Sequence, residues 1–378
     1  MSRVMCLVKA IVITCILLIK LDGSDSIQEV NQFDDGGSNI LVAVVQIYRH
    51  GIRTPYSFYK NDPHFNLSIW EGLGAKQLMN EGKRQHYSLG QFTRQRYADF
   101  LPERYDKDVI TAYTTDSDRT HMSGQCNLYG LFPAKNDQIW KENLSWQPIP
   151  LQLADPNILY SEPYQCANYV QLVDEVWKTE EYAAVNQKYK STYEYISKHS
   201  GENITDALST WNVFDCLDTE HKLGLQLPEW ANTIYPEPLT YLNALSYKSF
   251  TGTTLLKQLG AGRLINQIIT YFDAMASNTL STPKIITYSA HDENIASILN
   301  CFGAFDTPYV PTFASSIWME LKEMSGNFYV NVFSRDISDI MQIKVKNCNV
   351  NCPFDQFKLL LKDIVVDYKK WNEICTPS

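Results

Sequence analysis

The run Arg49-His50-Gly51-Ile52-Arg53-Thr54-Pro55 sets one imidazole between two guanidiniums. Two fixed positive charges around a histidine suit one chemistry above others: holding a phosphate while the ring attacks its phosphorus. A neutral imidazole nitrogen is nucleophilic near its ordinary pKa of about 6.5, and guanidinium stays charged at any relevant pH. Phosphoryl transfer also needs charge stabilisation on the non-bridging oxygens and a proton for the leaving oxygen. Two further clusters can supply these. Asp118-Arg119-Thr120 brings a third arginine able to fork onto phosphate oxygens. Ser289-Ala290-His291-Asp292 brings a histidine that donates if protonated and an aspartate able to hand over a proton. Gly51 leaves room for close approach and frees the His50 backbone for a special conformation. Taken singly, Asp118 reads as a helix cap, and His291-Asp292 as the cap of a helix beginning near Ile295. His64, His86, His121, His199 and His221 read as structural.

Each cluster must be delivered by an element, and the three share one plan. Ile40–Tyr48, Val109–Tyr113 and Lys284–Ser289 are apolar, β-branched runs, each followed by its polar cluster and then by a helical pattern. Runs apolar throughout suit parallel strands buried on both faces, and strands feeding helices predict an α/β fold with a mostly parallel central sheet flanked by helices. Ligands in such sheets bind at the carboxyl ends of the strands, where all three clusters fall. Residues 38–150 and 251–378 form two parts of this domain. Residues 151–250 lack such strands and read as a mainly helical cap; the stripe Tyr182, Val185, Tyr189, Tyr193, Ile196 is a packing face at helical spacing. Ile317–Glu323 and Phe328–Ser334 flank Met324-Ser325-Gly326-Asn327, which predicts a hairpin on the sheet's edge.

The 378 residues carry a net charge of -9, which argues against nucleic acid as a partner. Residues 1–23 read as a secretory signal: Arg3 and Lys9 precede the apolar run from Ala10 to Ile19, which is short for a membrane span. No hydrophobic tail follows Cys375, so the reading is a secreted protein with no membrane partner. Sequons at Asn66, Asn143 and Asn203 fit that route as glycosylation sites. Removing the leader discards Cys6 and Cys15 and leaves seven cysteines. In an oxidising compartment most should pair, and one is left over. Cys348 and Cys352 lack two further ligands nearby for zinc, so a local disulfide is the better reading.

The clusters are rich in arginine, which cannot ligate a cation, so no metal or other cofactor is expected. The serine-hydrolase elbow G-x-S-x-G and the phosphate loop G-x-x-x-x-G-K-[ST] are both absent.

Arg49-His50-Gly51-Ile52-Arg53-Thr54-Pro55, Asp118-Arg119-Thr120 and Ser289-Ala290-His291-Asp292 together resemble the signature of the histidine acid phosphatases, the high-molecular-weight branch of the histidine phosphatase superfamily. The resemblance runs from Asn39 to Cys375. It takes in Trp70–Tyr97 with Gly72, Gly74, Gly82, His86, Tyr87 and Gly90, then Trp146–Pro150, Leu227-Pro228 and Trp230-Ala231. It implies His50 as a phosphorylated nucleophile, Asp292 as proton donor, and Arg49, Arg53, Arg119 and His291 as phosphate ligands. It implies a phosphate monoester as the small-molecule substrate, with phytate or a non-enzymatic phospho-ligand binder as alternatives, and it admits a homodimer. It places the protein outside the cell ahead of the lysosomal lumen. It pairs Cys166 with Cys375 and Cys348 with Cys352. The family partner of Cys216 would fall near Ser316, which leaves that bridge open, and Cys126 and Cys301, on helices after two of the strands, are candidates to pair with each other.

Overall fold

The structure, a computed structural model, describes residues 39–159, 166–304, 307–336 and 339–376. The leader read at residues 1–23 lies outside them. In chain order the elements begin with β1 (Asn39–Arg49), α1 (Asn80–Arg96), β2 (Ile110–Thr114), α2 (Asp118–Leu131), β3 (Gln152–Leu153) and α3 (Pro156–Leu159). A helical stretch follows: α4 (Ala167–Trp177), α5 (Glu180–Lys188), α6 (Lys190–Ser200), α7 (Trp211–Lys222), α8 (Leu239–Ser249), α9 (Thr254–Lys257) and α10 (Arg263–Ala276). The chain returns to the sheet with β4 (Ile285–Ala290), α11 (Asp292–Phe302), β5 (Ser316–Met324), β6 (Asn327–Asp336), β7 (Asp339–Ile343) and β8 (Cys352–Pro353). It closes with α12 (Phe354–Leu361) and α13 (Tyr368–Cys375).

The strands form one sheet in the order β3-β2-β4-β1-β5-β6-β7, with β8 also on β6. β3, β2, β4 and β1 run parallel; β5, β6 and β7 continue the sheet antiparallel. The hairpin of β5 and β6 is therefore not at the edge. β5 lies against β1, and the short β7, which sequence patterning did not reveal, forms the margin. β1 is apolar throughout because it is buried on both faces. Ala43, Val45 and Ile47 pack into the core beneath α10, α11 and α12, while Val44 and Tyr48 pack into the core beneath α1 and α2. A third apolar cluster joins the helices between α4 and α9 with α13. Tyr182, Tyr193 and Ile196 are buried in it, with Val185 and Tyr189 packed against it, so that stripe is a packing face, split between α5 and α6 at Tyr189.

Cys166 is bonded to Cys375, and Cys348 to Cys352. Cys126, Cys216 and Cys301 are free. Cys126 and Cys301 are kept apart by the sheet: Cys301 belongs to the core containing Val45 and Ile47, whereas Cys126 neighbours Tyr48 on the opposite face. Cys216 donates its thiol to the Ser57 carbonyl at 3.1 Å, and Ser316, where a partner would fall, holds Gln46 instead.

Candidate active site

Register brings the three clusters to one end of the sheet. Arg49 lies opposite Ala290, and Thr114 opposite Ser289, so β1, β2 and β4 end level. The exits are tied down by main-chain bonds: His50 N–H to the Ala290 carbonyl at 3.0 Å, Arg49 N–H to the Ser315 carbonyl at 2.9 Å, and Thr115 N–H to the Ser289 carbonyl at 3.2 Å. The second turns of α1 and α2 hold the next loop, since Gly51 N–H donates to Ser123 and Ile52 N–H to Gln85. Gly51 owes its identity to contact: a Cβ there would meet the Gly82 carbonyl oxygen at 2.4 Å.

His50 is buried, and its ring lies 5.6 Å from that of His291. A carbonyl oxygen only accepts, so the 2.9 Å contact with Gly51 O puts the ring proton on Nδ1 and leaves the Nε2 lone pair. Burial pushes the His50 pKa well down, and Arg119, Arg49, Arg53 and His291 push it further, so the ring is neutral.

His291 caps α11. Its Nε2 bonds Thr115 Oγ1 at 2.9 Å, and that hydroxyl donates onward to Thr120; His291 Nδ1 faces Arg119 Nη2 at 3.4 Å. An arginine only donates, so Nδ1 accepts and the ring is a neutral imidazole. Burial, then the Arg119 charge, lowers its pKa to about 3, with Asp292 opposing. The condition on which sequence reasoning made His291 a further donor, protonation, is not met in this arrangement, where Nε2 alone carries the ring proton.

Asp292 opens α11, three residues ahead of the start expected from patterning. Its Oδ2 sits 2.8 Å from Arg49 Nη2 and accepts the Tyr247 hydroxyl at 3.0 Å. Burial raises its pKa, but Arg49, His291, Arg53 and the Tyr247 bond outweigh that and hold it at about 2. Arg49 also donates to the Pro311 carbonyl and lies 4.0 Å over the Phe313 ring. Arg53 is buried and paired through both terminal nitrogens with Asp215. Arg49 and Arg53 are thus each paired with a carboxylate, beside two neutral imidazoles.

A family model for the histidine phosphatase superfamily, branch 2, matches residues 40–335. The chain belongs to that superfamily. Its relatives make it a phosphatase: it is 32% identical over 347 residues to the lysosomal acid phosphatase of Xenopus laevis, covering 89% of this chain and 79% of that protein. It is 32% identical over 329 residues to the venom acid phosphatase of Apis mellifera, covering 84% of each. The fold is that of the Hafnia alvei phytase, with a TM-score of 0.65 over 90% of this chain and 99% of that one at 18% identity.

In this histidine phosphatase, three residues that sequence reasoning did not pick out also reach the site. Asp215 on α7 and Tyr247 on α8 reach the site from the helical stretch, and Phe313 from the loop before β5. None carries a local motif. The only trace is a carboxylate on α7 surrounded by Val213, Phe214, Cys216 and Leu217, since a charge in an apolar run implies a buried partner.

Proposed function

We propose that the protein is a secreted acid phosphatase that cleaves phosphate monoesters through a phosphohistidine on His50. The observation that carries this reading is a neutral His50 with Nδ1 engaged by its own loop and Nε2 left as a nucleophile beside three arginines. His50 Nε2 bonds to phosphorus as the ester oxygen departs, Arg49, Arg53 and Arg119 stabilise the equatorial oxygens, and Asp292 protonates the leaving alkoxide. Water then attacks the phosphohistidine, giving its proton to Asp292 and releasing inorganic phosphate with His50 restored.

Asp292 must gain a proton before it can give one. A phosphate that engages Arg49 draws away the counter-charge of Asp292 and sets an anion beside it; both changes raise the Asp292 pKa, and acidic solution supplies the proton. In this reading residues 151–250 act as a cap over the α/β domain (38–150 and 251–378), supplying Asp215 and Tyr247. Lys222 lies 5.2 Å from the Phe313 ring but is paired with Asp218, so we do not extend the substrate to phytate.

Secretion rests on the leader and on three sequon asparagines, Asn66, Asn143 and Asn203, all at the surface. No helix among the described residues is long and apolar enough to cross a membrane. The deciding experiment is a brief incubation with phosphorus-labelled monoester at acidic pH, a quench without acid, and peptide mapping. The label is expected on His50; a label elsewhere, or none under conditions of turnover, overturns the mechanism.

A further inference from the structure

The contacts of Arg53 decide which part of it can touch a ligand. A guanidinium has five N–H bonds. Nη1 donates to Asp215 Oδ2 at 2.9 Å and to the Thr54 carbonyl at 3.0 Å, and Nη2 donates to Asp215 Oδ1 at 2.8 Å. The remaining two, on Nη2 and Nε, lie together on one side of the plane's edge. Nε is buried and has no hydrogen-bond acceptor among the described residues. A buried charged donor without an acceptor is costly unless a ligand satisfies it.

The group that sets this orientation is Asp215, 162 residues away in sequence. The Asp215 side chain is 6% exposed, and its Oδ2 also accepts the Tyr56 N–H at 2.7 Å. One carboxylate on α7 therefore grips both the Arg53 side chain and the main chain three residues on.

We propose that Asp215 is the positioning residue for phosphate recognition: by occupying the end of the Arg53 guanidinium it turns the Nε–Nη2 edge toward the phosphate, where it makes a two-point grip. This rests on the reading of Arg53 as a phosphate ligand. Asp215 touches no substrate itself. It restrains a side chain that would otherwise adopt many rotamers, and it fixes the direction of the two N–H bonds.

The test is a double-mutant cycle read by equilibrium binding of inorganic phosphate, measured by calorimetry, which needs no turnover. Asp215→Asn is expected to weaken phosphate binding at least tenfold, because an amide turns an N–H toward Arg53. Adding Asp215→Asn to Arg53→Ala is expected to change binding less than twofold, because the residue acts only through Arg53. Additive effects, or a single Asp215→Asn with wild-type binding, overturn the proposal.

Asp215→Glu, which keeps the charge but moves it by one methylene, is read by the same criteria should the asparagine variant fail to fold. Asp215→Asn should raise KM while leaving the rate ratio of nitrophenyl to alkyl phosphate, which reports protonation by Asp292, at its wild-type value. A general loss of structure would disturb both. Failure to label His50 in the wild-type protein would defeat the phosphohistidine reading without touching this cycle.

Discussion

Asp292 and Arg49 hold one another at 2.8 Å, and the proposed reaction requires them to separate. In that reaction the substrate makes the general acid by competing for its partner. Protonation of Asp292 is then coupled to phosphate binding, and the free carboxylate stays ionised down to about pH 2. Two outcomes follow from that coupling. Activity on alkyl phosphates should fall on the alkaline side as the bound Asp292 loses its proton; a rate still climbing at pH 9 would remove it as the acid. Asp292→Ala should slow an alkyl phosphate by at least a hundredfold more than nitrophenyl phosphate, whose leaving group departs without a proton. Parallel rates on both substrates settle this in one experiment, with equal losses counting against the role.

The loop after β1 depends on a contact between two main chains. Gly51 and Gly82 approach so closely that a Cβ on either would enter the other segment, at 2.4 Å from Gly82 O or 2.3 Å from Ile52 O. Gly51→Ala should therefore push the loop away from α1, costing about 1–3 kcal/mol of stability and at least a hundredfold in rate. Gly74, with nothing near its would-be Cβ, is the control, and its alanine variant should melt within a few degrees of wild type.

β1, β2, β4 and the helices after them could be read from the chain because each is an apolar run ended by a polar cluster, and burial on both faces demands such a run. β7 could not: Asp339-Ile340-Met341-Gln342-Ile343 is short, at the margin and half polar. The position of the β5–β6 hairpin was misread because local pattern records a strand's faces but not its neighbours. The six chemical residues were visible through their local spacing. Asp215, Tyr247 and Phe313 were not, because only the packing of the helical stretch and the β5 loop brings them to the strand ends.

Across the molecule, α7 carries a second acidic contact. Asp62 and Glu220 are both buried and face one another near Tyr59 and Cys216, with Asp62 Oδ1 accepting the His64 N–H at 2.7 Å. Burial first, then Asp62, pushes Glu220 up to about 9; Asp62 is raised by burial too. The folded protein thus binds a proton that the unfolded chain releases near pH 4.5. The contribution of this carboxyl to stability is full below that pH and is lost as pH rises toward 9. Glu220→Gln, with an amide able to donate to Asp62, should raise stability, and with it the melting temperature, at pH 7 and leave both nearly unchanged at pH 4.5. Thermal melts at the two pH values check this, and an equal shift at both would refute it.

The bond between Cys166 and Cys375 joins the start of α4 to the end of α13 across 209 residues. Everything from α4 to α13 lies inside that covalent ring. A protease that opens one loop within it produces two fragments that still travel as one species. They part only when a reductant is added, so a molecule nicked in a protease-rich fluid keeps both halves of its catalytic centre on a single tether.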